Sequence, residues 1–122
     1  MAKSIPEGCH TVTPRIVVHD AEGLVTFLKQ VFGAAGDFQV SRPSEMRIGV
    51  SKIMVSGTGD RDQMTAFLYV YVDDVDETYS CAVHAGATWM EEPRDVPYGD
   101  RRAMVRDQWG NTWQIATHKG DL

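Results

Sequence analysis

Histidine and cysteine, which supply most protein ligands to zinc, are scarce in this chain, with four and two in 122 residues. Cys9 and Cys81 stand far apart, without a C-x-x-C or a histidine-bearing spacing, so two free thiols are expected rather than a disulfide or a zinc site. Long apolar runs are missing too. None approaches the roughly 18 residues of a membrane span, and the N-terminal M-A-K-S-I-P-E-G is too polar for a signal peptide. A cytoplasmic protein without membrane contact is expected. Basic clusters are absent: 12 Lys and Arg against 17 Asp and Glu leave a net charge of -5, which argues against nucleic acid as a partner. The glycine-bearing G-T-G-D-R-D-Q, residues 57–63, lacks both the Lys-Ser/Thr of a P-loop and the G-x-G-x-x-G spacing, so it reads as a polar link rather than a phosphate cradle.

What the chain does have is a weak internal repeat. Val17-Val18-His19-Asp20 closes one β-branched run and Val70-Tyr71-Val72-Asp73 another. Each Asp is followed thirteen residues later by Gly-Ala, at Gly33-Ala34 and Gly86-Ala87. One domain's length is thus divided into two modules, about 11–56 and 66–118, joined by a linker over 57–65.

In the first module, Thr11 to Val18 is the expected strand, with Pro14 placing it at an edge or a strand end. Asp20 caps a helix whose Leu24, Phe27, Leu28, Val31 and Phe32 form one apolar stripe, ended by Gly33. Phe38 to Ser41 is expected as a short strand, and Met46 to Gly49 with Lys52 to Ser56 as a hairpin. In the second, Ala66 to Val72 is a strand, and Asp74 with Glu77 opens a helix with Val75, Tyr79, Ala82 and Val83 inward. Thr88 to Met90 is a short strand and Glu91 to Asp100 a loop. Arg102 to Arg106 and Thr112 to Thr117 then flank a turn at Gly110. Cys9-His10 reads as part of a loose terminal arm, and His84 as a surface residue in the last turn of its helix.

Strand parity separates two faces. Ile16, Val18, Ile53, Val55, Leu68, Val70, Val72, Ala103, Val105 and Ile115 form the expected core under the helices, which Trp113 should join. The other parity carries Arg15, Met54, Phe67, Tyr69, Tyr71, Arg102, Met104 and Gln114, a mixture of aromatic and polar side chains suited to a concave ligand site. Tyr98 and Trp109, from the flanking loop and turn, complete the expected ligand-binding set.

The paired βαβββ plan, the V-x-D at each strand-to-helix turn, the Gly-Ala after each helix and the closing D-x-W-G-N-x-W resemble the glyoxalase, bleomycin-resistance and dioxygenase (vicinal oxygen chelate) superfamily. The P-Y-G-D-R run makes the chain similar to its small glyoxalase-like or resistance-type branch. The resemblance implies an α+β fold in which two βαβββ modules form a curved mixed sheet with a concave cup. Enzymes of that superfamily hold a divalent metal on inward His or Glu side chains of four strands. The corresponding positions here are Thr13, Met54, Phe67 and Gln114, a poor donor set, so no metal and no cofactor are expected.

The expected function is therefore metal-independent binding or sequestration of a small planar or aromatic molecule, of the antibiotic-resistance kind, by a homodimer. A glyoxalase-like lyase or isomerase using Tyr or His as acid or base is the alternative. An interaction module whose cup is only a dimer seam is a third.

Overall fold

Pro14 has no N–H to give to a sheet, so the first strand begins only after it. A computed structural model describes residues 4–97 and 99–120 and places β1 at Arg15–Val17, shorter than the expected run from Thr11. The Pro14 carbonyl still accepts from the Met54 amide at 2.9 Å. The chain forms two compact units, the first ending at Met64 and the second beginning at Thr65, with Gln30–Phe32 grouping with the second.

In the first unit, β1 is followed by α1 (Ala21–Phe32), β2 (Ser44–Ile48) and β3 (Ser51–Ser56). The strand order is β1-β3-β2, with β1 parallel and β2 antiparallel to β3. Asp20 caps α1 by accepting from the Gly23 amide at 3.0 Å, and Gly33, at φ 63°, ends it in the left-handed region that favours glycine. Leu24, Phe27, Leu28 and Val31 are buried as the stripe requires, joined by Ala21 and Val25. Ile16, Val18, Ile53 and Val55 are buried with Met46, the register partner of Ile53.

The expected strand at Phe38 to Ser41 does not form. The Gln39 amide donates instead to the Ser44 hydroxyl at 2.8 Å, Val40 is exposed, and only an isolated bridge, Ala35 to Arg47, lies in that region. The first unit is consequently βαββ rather than βαβββ.

The second unit contains β4 (Phe67–Tyr71), α2 (Val75–His84), β5 (Thr88–Asp95), β6 (Asp100–Arg106) and β7 (Thr112–His118). Their order is β4-β7-β6-β5, with β4 parallel to β7 and the other neighbours antiparallel. Asp74 caps α2 by accepting from the Glu77 amide at 3.2 Å. The Val75 amide donates to Thr117 Oγ1 at 3.0 Å, which satisfies another of the amides that a helix start leaves unpaired. Arg101 grips Asp76 with Nε at 2.8 Å and Nη2 at 3.0 Å, tying the first turn of α2 to β6.

Two expectations change here. Glu91 to Asp95 is strand, not loop. Its register shifts twice against β6, and Pro93 lies in this irregular part of a strand at the sheet's edge, where a missing N–H is tolerated. Val83 faces outward, so α2 buries only Val75 and Ala82 fully. Ala103, Val105, Ile115 and Trp113 form the expected core, whereas Leu68, Val70 and Val72 are half-buried because β4 ends the sheet. Trp113 packs on a helix as parity suggested, its ring 5.2 Å from that of Phe32.

Candidate functional site

Hydrogen-bond register builds the site in the second unit row by row. Tyr71 stands beside Ala116 and then Arg102; Tyr69 beside Gln114 and then Met104; Phe67 beside Thr112 and then Arg106. Six expected ligand residues, Phe67, Tyr69, Tyr71, Arg102, Met104 and Gln114, therefore share one sheet face. The rings are offered to solvent, with Phe67 66%, Tyr71 62% and Tyr69 39% exposed. Tyr69 and Tyr71 lie 5.3 Å apart with their planes at 56°, a tilted pair rather than a stack.

The same face carries two residues that the sequence reading passed over. Asp100 and His118 are direct register partners, two positions beyond Arg102 and Ala116 and hence of the same parity. Asp100 is 7% exposed and gathers three groups. Tyr69 Oη donates to its Oδ2 at 2.6 Å, Tyr71 Oη to the same oxygen at 3.0 Å, and His118 Nδ1 lies 2.8 Å from Oδ1. An ionised carboxylate only accepts, so the imidazole nitrogen facing it carries a proton. The bonds from Tyr69 and His118, and less strongly Tyr71, hold the Asp100 carboxyl below its usual range against the opposing effect of burial. Burial, followed by the bond to Asp100, pushes the Tyr69 phenol up to about 12. The Asp100 bond also raises Tyr71. Both phenols thus remain protonated donors at neutral pH. Strand parity points to Asp100 and His118 only when β6 starts at Asp100 and β7 runs on to His118, beyond the expected Arg102 to Arg106 and Thr112 to Thr117.

Arg102 adds a cation to this face. Its Nη2 lies 3.6 Å from Glu91 Oε1, and its buried Nε has no hydrogen-bond partner among the described residues. Trp109 stands apart, in the turn beyond the Phe67–Thr112–Arg106 row, and its role there is explained by Asp107. This 4%-exposed carboxylate accepts from the Trp109 and Asn111 amides at 2.9 Å each, from Asn111 Nδ2 at 2.9 Å and from Trp113 Nε1 at 2.8 Å. Asn111 Oδ1 then accepts from the Ala66 amide at 2.9 Å, pinning the entry to β4. The D-x-W-G-N-x-W signature is thus a turn clamp. Trp89, paired with Val105, belongs to the other parity. Tyr98 lies outside the described residues.

In the first unit, Arg15 and Met54 are direct partners across β1 and β3. Arg15 Nε donates to Ser56 Oγ at 3.1 Å and lines a cavity of about 780 Å³. Its walls come from residues 38–43, from 56–61 and from the start of α1. Five of the seven residues of the G-T-G-D-R-D-Q segment, 57–61, are therefore cavity wall as well as link.

The family model for the glyoxalase, bleomycin resistance protein and dioxygenase superfamily matches residues 9–115. The chain belongs to that superfamily. Among solved structures it is similar to TioX from Micromonospora sp. ML1, at 26% identity and a TM-score of 0.76, covering 89% of this chain and 98% of that one. A glyoxalase/bleomycin resistance protein/dioxygenase family enzyme from Burkholderia phytofirmans PsJN, at 22% identity and a TM-score of 0.74, covers 85% and 94%, and shares the fold. The uncharacterized protein Mb0911c of Mycobacterium bovis is 27% identical over 124 residues, 85% of this chain and 80% of that protein.

Superfamily enzymes use a metal, so the donor set bears directly on chemistry. In the first unit Met54 offers a thioether, and in the second Phe67 has no donor atom and Gln114 is neutral. These residues do not fit a divalent cation. Among the described residues no group of three or more His, Cys, Asp or Glu could hold a metal ion. Among them, too, no helix is long and apolar enough to cross a membrane.

Proposed function

We propose that this protein binds a small planar aromatic molecule on the second unit's sheet face and holds it without chemistry, a sequestration role of the antibiotic-resistance kind, acting in the cytoplasm as a homodimer. The observation that carries the reading is the exposed ridge of Phe67, Tyr69 and Tyr71 beside Arg102. Three solvent-facing rings on one short strand gain little by folding, whereas each can contribute about 0.5–1.5 kcal/mol beyond buried area when a flat ligand packs on it. The Tyr69 and Tyr71 hydroxyls are already engaged by Asp100, so both rings are held in place before a ligand arrives. Arg102 suits a carboxylate or other acceptor on that ligand. Membership of a superfamily whose name includes bleomycin resistance supports the reading, and β4, at the end of its sheet, has an edge that a second copy could cover.

Calorimetry with planar aromatic carboxylates, 2-naphthoate first, tests it. Phe67→Ala and Tyr71→Ala should each weaken binding about tenfold. Phe67→Ala should leave stability within about 1 kcal/mol because its ring is exposed, whereas Tyr71→Ala also loses the bond to Asp100 and should cost more. Wild-type affinity in both variants would contradict the proposal.

One observation favours a second reading, a lyase or isomerase. The Asp100–His118 pair has the orientation-by-carboxylate geometry that prepares an imidazole for proton transfer. Turnover abolished in Asp100→Asn, with ligand affinity retained, would move the assignment to that class.

A further inference from the structure

The first unit's cavity has none of the ridge residues in its lining and has a different chemical character. Three arginines line it from three segments: Arg15 on β1, Arg42 before β2 and Arg61 after β3. Arg15 is anchored through Nε to Ser56, which leaves its Nη groups without a protein partner among the described residues. Arg42 and Arg61 are exposed and make no side-chain ion pair among the described residues.

Three carboxylates also line the cavity, and their commitments decide the balance. Asp20 accepts the Gly23 amide as the cap of α1, and Glu22 lies in that helix's first turn, where the positive end of the helix dipole, about half a unit charge, offsets part of their charge. With Asp60 the carboxylates equal the guanidiniums in number, so what suits the cavity to an anion is the guanidinium donors that have no protein partner among the described residues. A cavity of about 780 Å³ is within the usual range for small-molecule sites.

We propose that this cavity is a distinct binding site for a small polyanion, a molecule carrying two or more phosphate or carboxylate groups held by Arg15, Arg42 and Arg61. Planar, forked guanidiniums suit both groups, and three of them from three segments offer enough unused donors to hold two anionic groups at once. Its three arginines are not among the ridge residues.

Calorimetry on the intact chain in low salt tests it, with pyrophosphate and citrate as probes. At least one should bind at a single site, and which one binds tells phosphate from carboxylate chemistry. Arg42→Gln and Arg61→Gln, both at exposed positions, should each weaken binding about tenfold. Raising NaCl from about 20 to about 200 mM should also weaken it by screening, and Tyr71→Ala should leave it unchanged. Failure of both probes to bind the wild type, or binding undiminished in both arginine variants, would overturn the proposal.

Discussion

Replacing Asp107 with alanine removes the acceptor for four donors at once. The Trp109 amide, the Asn111 amide, Asn111 Nδ2 and Trp113 Nε1 all end on this carboxylate within 2.9 Å. Asn111 and Trp113 are fully buried, so water does not replace the lost partner without disrupting the turn. A hydrogen bond to a charged acceptor contributes about 1.5–3 kcal/mol, and a buried donor left unpaired costs about 1–3 kcal/mol. The four bonds share one side chain and do not add, so the net loss should be about 3–6 kcal/mol. A domain of this length has a total stability of about 6–18 kcal/mol, so the variant should melt ~10–20 °C below wild type. Asp107→Asn keeps one carbonyl acceptor and should lose about half as much. Urea unfolding followed by tryptophan fluorescence measures both. An alanine variant within about 1 kcal/mol of wild type would refute the clamp and return the W-G-N turn to a role in binding.

Acid should expose the Asp100 cluster. Because Tyr69, His118 and Tyr71 hold its carboxyl below the usual range, its stabilisation is present above about pH 4 and lost as pH falls through the depressed folded value; Asp100→Asn should flatten the melting-temperature profile between about pH 5 and pH 2. Alkali reads the same cluster from the other side. Tyr69, with its phenol at about 12 in the folded protein, contributes stability that is complete below about pH 10 and lost between there and pH 12; ultraviolet titration should show a late-ionising tyrosine that moves back toward 10 in Asp100→Asn. Gly86→Ala should cost about 1–2 kcal/mol by chemical denaturation, because Gly86 has φ 106° and an added Cβ would meet the Gln108 side chain.

Periodicity made most of the fold legible. Alternation placed Ile16, Val55, Val105 and Ile115 in the core, and helical spacing placed Leu24 and Leu28 there, because both patterns follow directly from backbone geometry. Gln39 shows where pattern ends: a single hydroxyl, Ser44 Oγ, took the amide that a strand would have used. The run from Glu91 to Asp95 departs from expectation in the opposite direction, since an edge strand with shifting register tolerates Pro93, which a central strand would reject. The aromatic ridge was visible because Phe67, Tyr69 and Tyr71 sit two apart on one strand. Asp100 was not, because its significance depends on partners some 20 to 30 positions away. Asp107 adjoins the turn expected at Gly110, but it is the four donors it accepts from that account for the motif around it.

A nuclear magnetic resonance titration of isotope-labelled protein with 2-naphthoate tests the central claim most directly, because it reports where a planar aromatic molecule sits. Saturable, one-to-one shifts concentrated on Phe67, Tyr69, Tyr71 and Arg102 are predicted. Saturable shifts confined to other residues, or none at ligand concentrations of about 1 mM, an affinity of only about -4 kcal/mol, would contradict it.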